Sequence, residues 1–174
     1  MSVRKLAIWI IALVAIDMLI RIIIGVFWLD VRFDIIPGLF EFKPVFNTAH
    51  SYINGLLGLG IGYWPHLAIA IFAVAVAFFL CGFARKYGSG KKLTDVAFIF
   101  LISGGLCSLI IHIVWGKCLD YIYLKPLFVF DLKDLYINAG VILVLVSLLG
   151  DKKFRAVKWH DVAVYCRSLF AKRE

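Results

Sequence analysis

The chain has 174 residues, of which 63% are hydrophobic and only 17% are charged. A mean hydropathy of +0.96 excludes a water-soluble domain of this length, because too little polar surface is available to face water. Lysine and arginine (19) outnumber aspartate and glutamate (11), but no aromatic-basic module accompanies this charge, so we expect no nucleic-acid partner.

Four long apolar runs are predicted to cross a membrane, since a helical crossing needs about 20 apolar residues. They comprise residues 6–28, 64–84, 96–115 and 135–149. The fourth run is short, so its helix is expected to begin in the polar segment before it.

The first run is too long for a signal-peptide core, contains Asp17 and Arg21, and lacks a small-residue cleavage site, so we expect no cleavable signal peptide. Asp17 and Arg21 lie one turn apart and either neutralise each other or contact substrate.

Further candidate functional residues lie in the segment after the first run and in the segment between the third and fourth runs. Residues 33–46 alternate apolar and polar side chains around Pro37-Gly38, which predicts a small external β-hairpin. The stretch Asn-Thr-Ala-His-Ser-Tyr follows at residues 47–52. Residues 116–134, between the third and fourth runs, carry three acids, Asp120, Asp131 and Asp134. Acids this close to hydrocarbon are costly, so they are candidates for a functional site.

Charge distribution predicts the orientation. Lysines and arginines are concentrated before the first run, in residues 85–92, and after the fourth run. The positive-inside rule therefore places both termini and the 85–92 loop in the cytoplasm. We divide the chain into a transmembrane domain, residues 1–150, and a basic tail, residues 151–174.

An apolar stripe at helical spacing in the tail predicts an amphipathic helix at the inner membrane surface, with a solvated basic tail as the alternative. The stripe consists of Trp159, Val162, Ala163, Cys166, Leu169 and Phe170.

The cysteines at positions 81, 107, 118 and 166 have neither the distribution of a disulfide framework nor the spacing of a metal site. Packing roles are predicted for them, and no metal or cofactor is expected.

The order of these features resembles the bacterial lipoprotein signal peptidases (signal peptidase II), four-helix aspartyl peptidases that remove the signal peptide from lipid-modified prolipoproteins. The family's Asp followed four residues later by Lys is similar to Asp17 and Arg21. Its hairpin followed by Asn-x-Gly-Ala-Ala-Phe resembles the predicted hairpin and residues 47–52. Its Gly-Gly-x-x-Gly-Asn-x-x-Asp-Arg helix resembles residues 103–112, its Gly-x-x-x-Asp loop resembles Gly116 and Asp120, and its Phe-Asn-x-Ala-Asp motif resembles residues 130–134.

This resemblance covers residues 1–150 in order. It implies an all-α membrane protein, with a four-transmembrane-helix bundle, a small external β-hairpin or cradle and a C-terminal interfacial helix. It further implies a bacterial cytoplasmic (inner) membrane location. The implied partners are membrane lipid and a lipid-modified prolipoprotein or another membrane protein.

The family uses two aspartates, one at the end of the third helix and one at the start of the fourth. Asp134 matches the second. A gapless match puts Ile111 at the first position, with His112 in place of the Arg and Ser108 in place of the Asn, whereas a register that keeps both glycines, Gly104 and Gly105, puts His112 there. Neither register supplies an aspartate.

The sequence therefore favours a non-catalytic homologue that binds lipoprotein signal segments, lipid or a membrane partner. The alternative is an active peptidase with a remodelled pair, in which Asp134 acts with Asp120 or His112. The candidate binding residues are Asp17, Arg21, Asn47, His50, Ser108, His112, Asp120 and Asp131.

Overall fold

The computed structural model describes residues 1–47, 52–89 and 92–170. Long helices alternate along the chain with short strands and short helices. In chain order the elements are α1 (Val3–Phe27), β1 (Phe33–Ile36), β2 (Phe40–Asn47), α2 (Tyr52–Leu57), α3 (Tyr63–Tyr87), α4 (Lys92–Trp115), β3 (Cys118–Leu124), β4 (Phe128–Phe130), α5 (Leu132–Leu149), α6 (Lys152–Arg155) and α7 (Trp159–Phe170).

Within the described ranges, α1, α3, α4 and α5 are the four helices that are long and apolar enough to cross a membrane. They coincide with the four predicted runs. As expected, the fourth helix begins in the preceding polar segment, at Leu132, because Asp131 caps its first turn. The four-helix bundle predicted from apolar length is confirmed.

Helix α4 is the centre of the bundle and packs against α1, α3 and α5. Glycines allow α4 and α5 to approach closely: a Cβ on Gly140 would lie 2.5 Å from the backbone nitrogen of Leu101, and one on Gly104 would lie 2.9 Å from the carbonyl oxygen of Lys133. Small residues are a common means of close helix packing in membranes. The start of α5 is thereby held directly against α4.

The predicted hairpin is confirmed, and it forms half of an antiparallel sheet in the order β1-β2-β3-β4. Phe33 pairs with Phe42, and Gly38 adopts a positive φ of 75° in the turn, a conformation that favours glycine. Strands β3 and β4 were not predicted. Strand β3 pairs with the distant β2, for example Cys118 with Asn47, and such pairing leaves no local signal. Strand β4 pairs with β3 across a short turn, with Phe128 opposite Leu124.

An apolar cluster fixes the sheet to α1. Ile24 of α1 is buried with Phe42 of β2 and with Leu119 and Tyr121 of β3. Burying these side chains stabilises the contact through the hydrophobic effect. The sheet therefore lies over one end of the bundle, beside the first turn of α5.

The tail forms the predicted amphipathic helix, α7, but the predicted apolar stripe omitted its main contact residue. Tyr165 is buried against α3, with its ring centroid 5.2 Å from those of both Phe79 and Phe83. Its hydroxyl lies over Gly82, where a Cβ would be 2.2 Å away. Trp159, which the stripe included, is 89% exposed.

Candidate active site

The first turn of α5 carries two of the candidate acids in a capping box. Asp131 is the N-cap, and its Oδ1 accepts a hydrogen bond of 3.2 Å from the backbone N–H of Asp134. The carboxylate of Asp134 accepts one of 3.3 Å from the backbone N–H of Asp131. These bonds satisfy free amide donors, and negative charge is favourable at this end of a helix. Local sequence thus orients both buried side chains.

Arg21 connects α1 to the sheet and to α5. Its guanidinium donates to the carbonyl of Leu119 at 2.6 Å and to the carboxylate of Asp131 at 2.6 Å. Its contact with Asp17, one turn earlier in α1, is longer at 3.4 Å. Arg21 and Asp17 do form an ion pair, but the shorter contacts of Arg21 are to residues that are distant in the sequence.

Lys133, which the sequence analysis did not single out, lies at the centre of the site. It is 3% exposed. Its ammonium lies 2.9 Å from Asp131, 3.3 Å from Asp134 and 3.8 Å from Asp120. Burying an ammonium is unfavourable unless acidic groups surround it. A lysine next to an acid at the start of a transmembrane helix is rare, and this feature of the sequence could have identified Lys133 as a site residue.

Asp120 reaches the same cluster from β3. The side-chain amide of Asn47 donates to it at 2.7 Å, and the thiol of Cys118 donates to it at 3.0 Å. Cys118 and Asp120 are two residues apart on a strand, so their side chains share a face. Burial raises the pKa of Asp120 above its usual range, and the nearby Lys133 offsets this only in part. Protonation is therefore easier for Asp120 than for an exposed aspartate.

In the part of the chain that the structure describes, the cluster contains more acids than cations. Burial alone would raise the pKa of Asp131, but Lys133 and Arg21 beside it bring the value to about 2, so this residue stays ionised. A fully ionised cluster would hold excess negative charge away from water, and a proton shared among the remaining carboxyl groups reduces that excess. The carboxyl groups belong to Asp17, Asp120, Asp131 and Asp134, and the cations are Arg21 and Lys133.

Position 111, which the resemblance aligned with the first aspartate, has apolar surroundings. The side chain of Ile111 is fully buried and clusters with Cys107 and Cys118. Asp120 instead lies with Asp131 and Asp134 around the ammonium of Lys133. An acid that the resemblance treated as part of a loop thus lies with Asp134 in one site.

The remaining candidates on α4 lie beside this cluster. The Nδ1 atom of His112 is 2.7 Å from the backbone carbonyl oxygen of Ser108, and its ring centroid is 4.6 Å from that of His66 on α3. His112 is therefore buried in contact with another imidazole. His50, the other predicted binding residue, lies outside the described residues.

Two cavities border the site. One, of about 160 Å³, lies between α3, α4 and α5, and its polar lining includes Asp134, Lys133, Ser108 and His66. Apolar residues form the rest of its wall. A mainly apolar cavity with a few converging polar groups is typical of a ligand site. The second, of about 270 Å³, lies between α1 and the sheet and is lined by Arg21, Ile22, Gly25, Val26, Phe46, Trp115, Lys117 and Leu119.

Three potential metal ligands, Cys118, Asp120 and Asp131, have donor atoms within 4.8 Å of one another. However, Arg21 and Lys133 already pair with the carboxylates of this group. Cationic side chains of the protein thus occupy the positions from which a metal ion would bind. The donor set fits a buried ion-pair network better than a metal centre.

Comparison with known proteins agrees with this architecture. A family model described as signal peptidase (SPase) II matches residues 9–150. The chain is 29% identical over 125 residues to a lipoprotein signal peptidase of Microcystis aeruginosa, covering 69% of this chain and 74% of the relative. It is 23% identical over 157 residues to one of Listeria monocytogenes, covering 84% of this chain and 95% of the relative.

A solved structure shares the fold. It is described as a bacterial membrane enzyme determined by the in meso method at 2.3 Å resolution. It superposes with a TM-score of 0.68 at 18% identity, covering 90% of this chain and 96% of the other. The four apolar helices and the match over residues 9–150 together establish that the chain is a multi-pass integral membrane protein and belongs to the signal peptidase II family.

Proposed function

We propose that this protein is a lipoprotein signal peptidase that cleaves lipid-modified prolipoproteins, with Asp120 and Asp134 as its two catalytic aspartates. The observation that supports this most directly is their shared contact with Lys133, whose ammonium lies 3.8 Å from one carboxylate and 3.3 Å from the other. Aspartyl peptidases require two neighbouring carboxyl groups in different protonation states. A single buried site that holds both acids supports the first part of this requirement, that the two carboxyl groups are neighbours.

The surroundings of the two acids differ in a way that assigns their roles. Asp134 has the closer contact with Lys133 and also accepts the backbone N–H of Asp131, and both interactions favour an ionised carboxylate. Asp120 is buried more deeply, at 1% exposed against 5% for Asp134, and lies farther from the ammonium of Lys133, which favours its neutral form. Asp134 is therefore the proposed general base, and Asp120 the proposed general acid.

The reaction needs only these two groups and water. Asp134 takes a proton from water as the water oxygen bonds to the scissile carbonyl carbon, and Asp120 donates its proton to the carbonyl oxygen. The tetrahedral intermediate collapses when its C–N bond breaks and the leaving nitrogen takes the proton held by Asp134. Asp120 then recovers a proton from a hydroxyl of the intermediate. The products are a free acid and a free amine, and both aspartates return to their starting states.

The cavity beside Asp134 supports access of substrate to the base. It is bordered by the short side chains of Ala70 and Ala73 on α3, which leave space next to the carboxylate. Asp120 is held from the other side by Asn47. The proposed scissile bond lies between the cavity and β3.

A second candidate function is the non-catalytic one that the sequence favoured: binding of lipoprotein signal segments, lipid or a membrane partner. Lys133 supports it, because an ammonium in contact with both acids stabilises their ionised forms, whereas catalysis needs one of them protonated. The excess of acids over cations favours the catalytic function instead.

The proposed location is the bacterial cytoplasmic membrane, with the sheet and the aspartates at its outer face and both termini in the cytoplasm. The concentration of lysine and arginine in the terminal segments and in residues 85–92 supports this orientation, because such segments stay on the cytoplasmic side.

Cleavage of a lipid-modified prolipoprotein by the purified protein in lipid nanodiscs tests the proposal. We expect the wild type to cleave. Asp120→Asn and Asp134→Asn should each reduce cleavage by roughly a thousandfold or more, since the two acids act as a unit. Asp34→Asn is the matched control, because Asp34 is an exposed residue of β1 that pairs with Lys125, and it should retain cleavage.

Binding of the same prolipoprotein, measured in parallel, separates the two candidate functions. A wild type that binds but does not cleave would establish the non-catalytic function. Cleavage that survives Asp120→Asn but not Asp134→Asn would show that another group, such as His112, serves as the acid. Cleavage that survives both substitutions would reject the proposed site.

A further inference from the structure

Lys133 is buried at a position where the motif quoted for the family has alanine. It is 3% exposed and contacts three carboxylates. Among the residues that the structure describes, it is the only lysine or arginine within 4 Å of the carboxylate oxygens of Asp120 or Asp134. The ion-pair and hydrogen-bond partners of Arg21 are Asp131, Asp17, Leu119 and Cys118. The two proposed catalytic acids therefore depend on one cation.

We infer that Lys133 is a positioning residue that keeps the Asp120–Asp134 pair at a single shared proton near neutral pH. The inference rests on the proposed function. With Lys133 present, its positive charge balances one ionised carboxylate, so the pair holds one proton and one negative charge. Without it, the buried pair would sit beside ionised Asp131 with no cation of its own. The pair would then take up a second proton, and no base would remain to activate water.

The other titratable groups around the pair are present in both the wild type and a Lys133 variant, and Asp131, which loses its contact with Lys133, keeps its closer contact with Arg21. Asp17 and Arg21 face it from α1, and Asp131 from the α5 N-cap. Cys118 faces it from β3, and burial raises the pKa of this thiol, so it stays neutral. Tyr121 of β3 is likewise kept neutral by burial, which raises its pKa.

Two of the described histidines also lie near the pair. His66 on α3 lines the cavity shared by Lys133 and Asp134, and the ring of His112 on α4 lies 4.6 Å from that of His66. Both histidines are present in the wild type and in every Lys133 variant. A difference between the two profiles therefore reports the loss of the lysine charge.

The test compares Lys133→Met, which keeps most of the side-chain length and removes the charge, with Lys133→Arg, which keeps the charge. Lys125→Met is the matched control, since Lys125 belongs to the sheet and pairs with Asp34 and Glu41. Cleavage of a lipid-modified prolipoprotein is measured across pH. We expect Lys133→Met to move the profile upward by about one to three pH units, the effect of removing an opposite charge beside an aspartate. Lys133→Arg should restore part of the wild-type profile, and Lys125→Met should keep it.

A second readout does not depend on activity. Infrared titration of the protonated carboxyl band, assigned with Asp120→Asn, reports the pH at which Asp120 loses its proton. Lys133 lowers the pKa of Asp120, so Lys133→Met should move this transition to higher pH. An unchanged transition would overturn the inference whether or not the wild type cleaves.

The activity results separate failure of the inference from failure of the proposed function. If the wild type cleaves and Lys133→Met has the same pH profile, or is more active near neutral pH, the inference is wrong and the proposed function stands. If the wild type does not cleave under any condition, the proposed function fails, and the infrared titration still decides whether Lys133 controls the proton.

Discussion

The side-chain amide of Asn47 donates a hydrogen bond of 2.7 Å to the carboxyl group of Asp120. Asn47 ends β2 and Asp120 lies in β3, and the two strands are paired around them, with Asn47 opposite Cys118. The predicted hairpin and one of the candidate acids are therefore connected at the site itself. This bond orients Asp120 toward the lysine that it shares with Asp134.

Replacing Asn47 with alanine should lower cleavage of a prolipoprotein by about tenfold to a hundredfold. Loss of a hydrogen bond to a buried acid costs about 1–3 kcal/mol, and each 1.36 kcal/mol is a factor of ten in rate. The rate constant is measured at saturating substrate. Asn138→Ala on the exposed face of α5 is the matched control and should stay close to the wild type. A full rate for Asn47→Ala would show that this amide does not orient the acid.

Replacing Arg21 with methionine should destabilise the protein by about 3–5 kcal/mol, because Asp131 would keep a buried charge without its closest partner. Thermal unfolding in detergent measures the effect. Arg32→Met, at an exposed position between α1 and β1, provides the control and should change the unfolding midpoint little. Arg21→Lys should recover only part of the loss, since an ammonium cannot reproduce the forked donation to Leu119 and Asp131. Equal midpoints for Arg21→Met and Arg32→Met would contradict the role assigned to Arg21.

Replacing Gly140 with alanine should destabilise the packing of α4 against α5 by about 1–3 kcal/mol, the usual cost of overfilling a packed contact. The added Cβ would lie 2.5 Å from the backbone of Leu101, which cannot move as a side chain can. Gly25→Ala in α1 is the matched control, because its Cβ would meet only the side chain of Leu119, at 3.7 Å. Thermal unfolding should distinguish the two variants. A Gly140→Ala protein as stable as Gly25→Ala would mean that the helices are further apart.

Replacing Asp120 with asparagine should change how stability depends on pH. The folded state raises the pKa of Asp120 above its ordinary value of 3.8. Between these two pKa values the folded protein binds more protons than the unfolded chain, so this residue makes the wild type less stable as pH rises through that interval. Asp120→Asn removes that loss, so raising the pH from low to neutral should lower the unfolding midpoint of the variant less, or raise it more, than that of the wild type. A variant with the full wild-type pH dependence would show that Asp120 titrates normally.

Reporter fusions should confirm the proposed orientation. A reporter fused after Lys92 or Glu174 is expected to be cytoplasmic, and one inserted near Gly38 or Lys125 external, because basic segments remain on the cytoplasmic side. Reporters that need either an oxidising or a cytoplasmic environment for activity give opposite signals and serve as mutual controls. An external C-terminus would contradict the arrangement of four crossings with both ends inside.

Features set by neighbouring residues could be read from the sequence. Apolar length located the four crossings, and Pro37-Gly38 located the hairpin turn, because both depend on the local chain. The basic segments predict an orientation on the same local basis, and that orientation stays a prediction. The ordered resemblance of short motifs correctly indicated the family, since the family model matches residues 9–150.

The tertiary structure alone decided which side chains meet. The sequence placed Asp120 in a loop, whereas the structure places it in β3, where pairing with β2 holds it near Lys133. Lys133 itself was overlooked because a single lysine in a sequence does not show whether it faces water or three buried carboxylates. Likewise, the packing role of Tyr165 depends on its contacts with the rings of Phe79 and Phe83 in α3. Contacts between segments many residues apart depend on how those segments pack. A single sequence gives the size and charge of each residue but does not show which residues will meet.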